Sequence, residues 1–177
     1  VIYSNAGGSF SKTTLTGTGG NAGGVAWGDI DGDGDLDLAA GVAVGLDYIA
    51  RNNAGVFSTF TLAGTGGDTE GLSWGAADND GDLDLAAVTY AGDAYLAVNN
   101  GQGVFSTRSF TGTLGTGGVG IAWGDYDADG DQDLAVGSDY ILRNDGGLNF
   151  VKVTLISGLT QSDIRGVAWA DYDLDGD

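Results

Sequence analysis

Five aspartates stand at alternate positions between Trp27 and Leu38, in the string W-G-D-I-D-G-D-G-D-L-D-L. In a template D-x-D-x-D-G-D-x-D, the side chains of Asp29, Asp31, Asp33 and Asp37 take the first, third, fifth and ninth places, and Asp35 offers its carbonyl at the seventh. Gly34, at the sixth, lets the chain turn sharply around an ion. Hard oxygen donors of this kind suit calcium, which takes six to eight of them at about 2.3–2.6 Å. Magnesium demands a tighter octahedron and keeps its waters. Zinc and copper favour His or Cys, and the chain contains neither.

The string recurs. The third copy repeats the full set, with side chains from Asp125, Asp127, Asp129 and Asp133 and the carbonyl of Asp131. The second departs from it: Ala76 takes the first place, leaving Asp78, Asp80 and Asp84, with Asp82 at the seventh. A weaker site is expected there. A fourth copy offers Asp171, Asp173 and Asp175 and stops at Asp177, before its ninth place. An EF-hand shares D-x-D-x-D-G but needs a Glu at the twelfth place and flanking helices. That place holds Ala40, Ala87 or Val136, and the flanks alternate like strands.

Composition narrows the partners. The formal net charge is −19, and Glu70 is the lone glutamate among 25 acidic residues. Asp alone suits loops, because its short side chain bonds local backbone and reaches a nearby cation. Six scattered basic residues make nucleic acid and anionic membrane poor partners. No apolar run approaches a membrane span. Without Cys there are no disulfides and no thiolate chemistry. Without His there is no Ser-His pairing, so a catalytic site is hard to build and the chain is expected not to be an enzyme.

The elements that position the loops follow from the period. Trp27, Trp74, Trp123 and Trp169 are 47, 49 and 46 residues apart. Each Asp loop is followed by an apolar run, a Tyr-containing segment ending at Asn52, Asn99 or Asn144, a Gly-rich turn, and a strand opened by Phe57, Phe105 or Phe150. Each unit thus reads as four short strands, A to D, and the period points to a blade of a β-propeller. The expected fold is all-β, with four-stranded antiparallel blades: three whole ones at 22–63, 70–111 and 118–156, and partial ones at 1–16 (strands C and D) and 165–177 (strand A and the start of a loop). Such a chain reads as an excerpt of a longer protein. The tryptophans are expected to pack in the inner strands or between blades.

Strand, D-x-D-x-D-G-x-x-D-L, strand, at this period, resembles the FG-GAP/VCBS repeats of integrin-α-like propellers, and Arg51-Asn52 to Phe57 and Arg143-Asn144 to Phe150 are similar to the VCBS form. The resemblance implies calcium at the named aspartates, in loops joining strands A and B on one face. Many secreted and surface proteins of microbes carry similar repeats. The expected role of the ion is structural, and weak sites fed by millimolar calcium imply an extracellular or cell-surface home. The expected function is a non-catalytic adhesion or recognition module. Its protein or glycan partner would sit on the face opposite the calcium loops, near Asp68, Glu70, Asp163, Arg165, Tyr48, Tyr95 and Tyr140. Alternatives are a structural subunit of a filament or surface layer formed by self-assembly, and a lectin or polysaccharide-active domain.

Overall fold

The computed structural model describes residues 1–110, 120–137, 140–155 and 165–171. Within them every regular element is a β-strand. A hairpin of β1 (Ile2–Ala6) and β2 (Ser9–Thr13) precedes three four-stranded antiparallel sheets. The first sheet is β3 (Ala22–Gly28), β4 (Asp37–Val42), β5 (Tyr48–Asn53) and β6 (Val56–Thr61). The second is β7 (Thr69–Gly75), β8 (Asp84–Thr89), β9 (Ala94–Asn99) and β10 (Phe105–Phe110). The third is β11 (Ile121–Gly124), β12 (Asp133–Val136), β13 (Tyr140–Asn144) and β14 (Phe150–Thr154). Strands pair in chain order, as tight turns between short strands require. These sheets are the blades of a β-propeller.

The register repeats as faithfully as the sequence. Trp27 pairs with Leu38, Trp74 with Leu85 and Trp123 with Leu134. The second strand is apolar on both sides because each sheet is covered on both faces; every residue of β4 and of β8 is buried. The core therefore lies between blades. Ile30, Ala39 and Ile49 of the first blade cluster with Leu85 and Ala97 of the second. Ala86, Val88 and Leu96 of the second cluster with Leu134, Val136 and Leu142 of the third.

The tryptophans lock successive blades together. Trp123 lies on Gly75 so closely that a Cβ there would meet the indole at 2.5 Å, and its Nε1 donates to the Ser73 carbonyl at 3.1 Å. Trp169 repeats this on the third blade, against Gly124 and the Ala122 carbonyl. A Gly75→Ala variant is expected to lose about 1–3 kcal/mol, because the ring and strand must separate to admit one methyl. Thermal melting followed by tryptophan fluorescence checks this.

The strand expected at Gly166–Ala170 is not formed: residues 165–171 lie against β11 without strand pairing. A strand A is held by the ladder to its own strand B, which in the first blade begins ten residues after the Trp. The corresponding partner falls outside the described residues.

Candidate metal centre

The A–B loops owe their shape to a left-handed glycine. Gly34, Gly81 and Gly130 have φ of 91°, 95° and 93°, a conformation without steric cost only for glycine. The loop then folds back so that its carboxylates face its own backbone. Asp29 accepts from the N–H groups of Gly32 at 2.8 Å and Gly34 at 3.0 Å. Asp125 accepts likewise from Asp129 and Gly130.

Asp37, Asp84 and Asp133, the ninth-place aspartates, open the second strand of each blade and are fully buried. Each spends both oxygens on backbone N–H groups. Asp37 accepts from Ile30 at 2.9 Å and Asn52 at 2.6 Å. Asp84 accepts from Ala77 and Asn99, and Asp133 from Tyr126 and Asn144. The carboxylate thus ties the A–B loop to the end of the third strand. The carboxylate oxygens keep lone pairs after these bonds, so the same groups remain able to face a cation.

In two loops the structure gathers three carboxylates around one point. Ligand oxygens of Asp29, Asp31 and Asp37 lie within 4.8 Å of one another, and so do those of Asp125, Asp127 and Asp133. Oδ1 of Asp31 is buried there without a hydrogen-bond partner. An orphaned carboxylate oxygen costs free energy unless a cation or water meets it. An all-oxygen, anionic donor set of this kind fits a hard divalent cation.

Other expected ligands lie differently. Asp33 and Asp129 are outside these triads, their Oδ1 atoms accepting from the N–H two residues on, at 2.8 and 2.9 Å. Asp35 sends its side chain to Ala54 N–H at 2.6 Å, and Asp131 accepts from Asn79 Nδ2 of the neighbouring loop. In the middle loop Asp78 and Asp80 accept from the backbone of Asp80 and Asp82, and no triad forms among its described residues. Ala76, where the first carboxylate would stand, is held through its N–H by Gln132 of the third blade. Asp82 lies beside Gly101 in the next turn. Asp171 is exposed in a cleft with Asp125 and Trp169, while Asp173 and Asp175 fall outside the described residues.

Crowding and burial move the proton equilibria. Burial raises Asp37 and Asp133 above the usual carboxylate range, opposed by their N–H donors and reinforced by neighbouring aspartates. Asp78 is raised by burial and by Asp80. Asp84 is pushed up to about 6, chiefly by burial. A carboxyl raised on folding holds its proton better in the native state. Its stabilising effect is therefore complete below the unfolded value near 3.8 and is lost as pH rises through about 6. The metal-free chain is expected to lose stability between pH 4 and 7 from this group, and a cation at the middle loop to bind less tightly below pH 6, where it must displace the proton. Melting curves and cation titrations across that range check both.

A profile of the FG-GAP-like repeat matches residues 1–40 and 77–136. The chain belongs to the FG-GAP-like repeat family. The matched stretches take in the loops Asp29–Asp37, Asp78–Asp84 and Asp125–Asp133, the segments that the fold builds alike. No curated protein matches the chain.

The FG-GAP-like blades also carry polar contacts to which the sequence reading gave no role. Asn99 donates to the Ile30 carbonyl of the first blade's loop at 2.7 Å, and Asn144 to the Ala77 carbonyl of the second's at 2.8 Å. Their recurrence in phase was the available signal. On the opposite ends of the strands, Asp47 is buried and accepts from Val42 N–H, from the Thr69 hydroxyl at 2.8 Å and from the Tyr95 hydroxyl at 2.5 Å. Its only mark in sequence is an Asp shortly before each Tyr, at Asp47, Asp93 and Asp139.

Of the residues expected near a partner, two lie in the core. Tyr95 and Tyr140 are buried, at 3% and 2% exposure, because their rings turn into the space between blades. Tyr95 is engaged by Asp47, and that burial beside a carboxylate pushes its hydroxyl far up. Tyr48 is half-buried in the core at Leu38. Asp68 is fixed by its backbone, donating to Ala43 and accepting from Tyr90. Glu70 and Arg165 line one cleft of about 240 Å³ among the innermost segments, with Gly24, Gly120 and Val167. Asp163 falls outside the described residues.

Proposed function

We propose that this chain is a calcium-stabilised propeller segment acting as a non-catalytic recognition module outside the cell. The two carboxylate triads, drawn from the same places of the repeat, carry the metal half of this reading. Asp29, Asp31 and Asp37 hold one ion, and Asp125, Asp127 and Asp133 another. The bound cation offsets the mutual repulsion of the loop and so closes each hairpin. The all-oxygen sets belong to the class whose dissociation constants in extracellular modules are about 10⁻⁴–10⁻³ M, which suits millimolar external calcium.

Recognition is assigned to the end of the blades away from the loops. Connectors there differ between repeats while the scaffold does not, and such loops are where binding groups concentrate. The Glu70–Arg165 cleft offers a carboxylate and a guanidinium together, a pairing suited to hydroxyl-rich or zwitterionic ligands. A glycan array probed with labelled chain in millimolar calcium tests this. Binding lost in Glu70→Gln supports it; an array without signal removes the glycan form of the proposal.

Self-assembly is a second reading, favoured by one observation. Val25 and Trp27 on β3 are 59% and 46% exposed, whereas the matching Trp74 and Trp123 are covered by a neighbouring blade. Negative-stain microscopy separates polymers from discrete particles.

A further inference from the structure

The third strands of the first and third blades each carry an Arg-Asn pair in their last three residues, Arg51-Asn52 and Arg143-Asn144, while the middle blade has Val98-Asn99. The three asparagines are equivalent: each gives its N–H to the ninth-place aspartate of its own loop. The residue before them is therefore the same place in all three blades. From it, Arg51 Nε reaches Oδ2 of Asp31 at 3.4 Å, and Arg143 Nε reaches Oδ2 of Asp127 at 3.7 Å. Asp31 and Asp127 are the third-place carboxylates of the two triads. In the middle loop the third-place Asp78 has Asp80 beside it, and no ion pair to either is found among the described residues.

We propose that Arg51 and Arg143 are built-in counter-cations of their loops, which hold the third-place carboxylate in position and keep the loop closed when calcium is absent. The idea rests on the calcium reading above. Asp31 divides its carboxylate: Oδ2 faces the guanidinium, and Oδ1 is buried and unpartnered. One fixed positive charge per loop offsets part of the repulsion among the aspartates, at the cost of repelling an incoming cation. Further contacts hold each guanidinium in place. Arg51 Nη2 donates to the Gln102 carbonyl at 2.7 Å, and its guanidinium lies 5.9 Å from the Phe60 ring; Arg143 Nε, the atom that faces Asp127, donates to Asp145 at 2.7 Å, so its charge is shared between two carboxylates. The middle loop, with Val98 in that place, lacks this device. The three loops then differ in how far they depend on the ion, beyond the carboxylate that the middle loop lacks at Ala76.

Hydrogen exchange in chelator, read by mass spectrometry, tests this on the whole chain, with calcium calorimetry beside it. In the parent chain, peptides covering 76–84 are expected to exchange at least ten-fold faster than those covering 29–37 and 125–133. Arg51→Gln should bring 29–37 to the rate of the middle loop. It should also tighten calcium at the first loop by about three- to ten-fold, since a nearby positive charge is gone. A purely structural arginine would not produce that tightening. Arg51→Lys should keep the slow exchange, and Val98→Arg should slow 76–84. Equal exchange in all three loops of the parent, or Arg51→Lys behaving as Arg51→Gln, overturns the proposal. A parent chain that binds no calcium removes the calcium reading, while the exchange in chelator still decides whether the arginines close their loops.

Discussion

In millimolar calcium the chain is expected to melt roughly 10 °C above its melting point in chelator. An ion at ten times its dissociation constant contributes about 1.4 kcal/mol by linkage. Two sites built on the triads, with a weaker middle loop, give about 3–4 kcal/mol together. For a chain of this length each kcal/mol moves the midpoint by about 2–4 °C. The effect should be nearly abolished by Asp37→Asn combined with Asp133→Asn, which removes one carboxylate charge from each triad. Scanning calorimetry with and without chelator measures it. An unchanged midpoint would leave the loops as acidic turns and would undo the extracellular argument that depends on them.

Asp47→Ala is expected to cost about 3–5 kcal/mol and to do so equally with and without calcium. The carboxylate accepts from Val42 N–H, Thr69 Oγ1 and Tyr95 Oη while only 1% exposed. Truncation strands all three donors, two of them from the second blade, in a site that water enters poorly. Each buried donor left unsatisfied costs about 1–3 kcal/mol. Asp47→Asn keeps acceptor capacity on one side and should cost less. Urea unfolding of the two variants in calcium and in chelator reads the difference. A cost that vanished in either condition would show that this network and the metal loops are not independent, contrary to their places at opposite ends of the strands.

The blade and its metal loop were open to sequence reading because each is a local property. The alternation of apolar residues sets strands of about six residues, glycine at the sixth place supplies the left-handed turn, and the ninth-place aspartate begins the second strand. All three features need only neighbours within one hairpin, so the repeat displays them directly. The tryptophans were placed in the inner strands or between blades on the same ground, since a feature kept in phase with the fold serves the fold. What Trp74, Trp123 and Trp169 lie against, a glycine one blade back, required the stacking itself.

What the sequence left open was direction. A template counts carboxylates but does not say which oxygen turns to the ion and which to backbone. The side chains of Asp33, Asp35, Asp129 and Asp131 accept from N–H groups or from Asn79 and stand outside the triads. Tyr95 and Tyr140 stand on strands whose alternation is apolar on both faces, and period alone cannot tell a ring between blades from a ring at a surface. The sequence by itself determined the blade, its period, the acidic loop and the oxygen chemistry of that loop. The tertiary structure alone decided which carboxylates converge, which tyrosines are lost to the core and that Asp47 joins two blades. The Asp47 contacts depend on residues 22 to 48 positions apart being brought together by the packing of one sheet on the next, which no local pattern encodes.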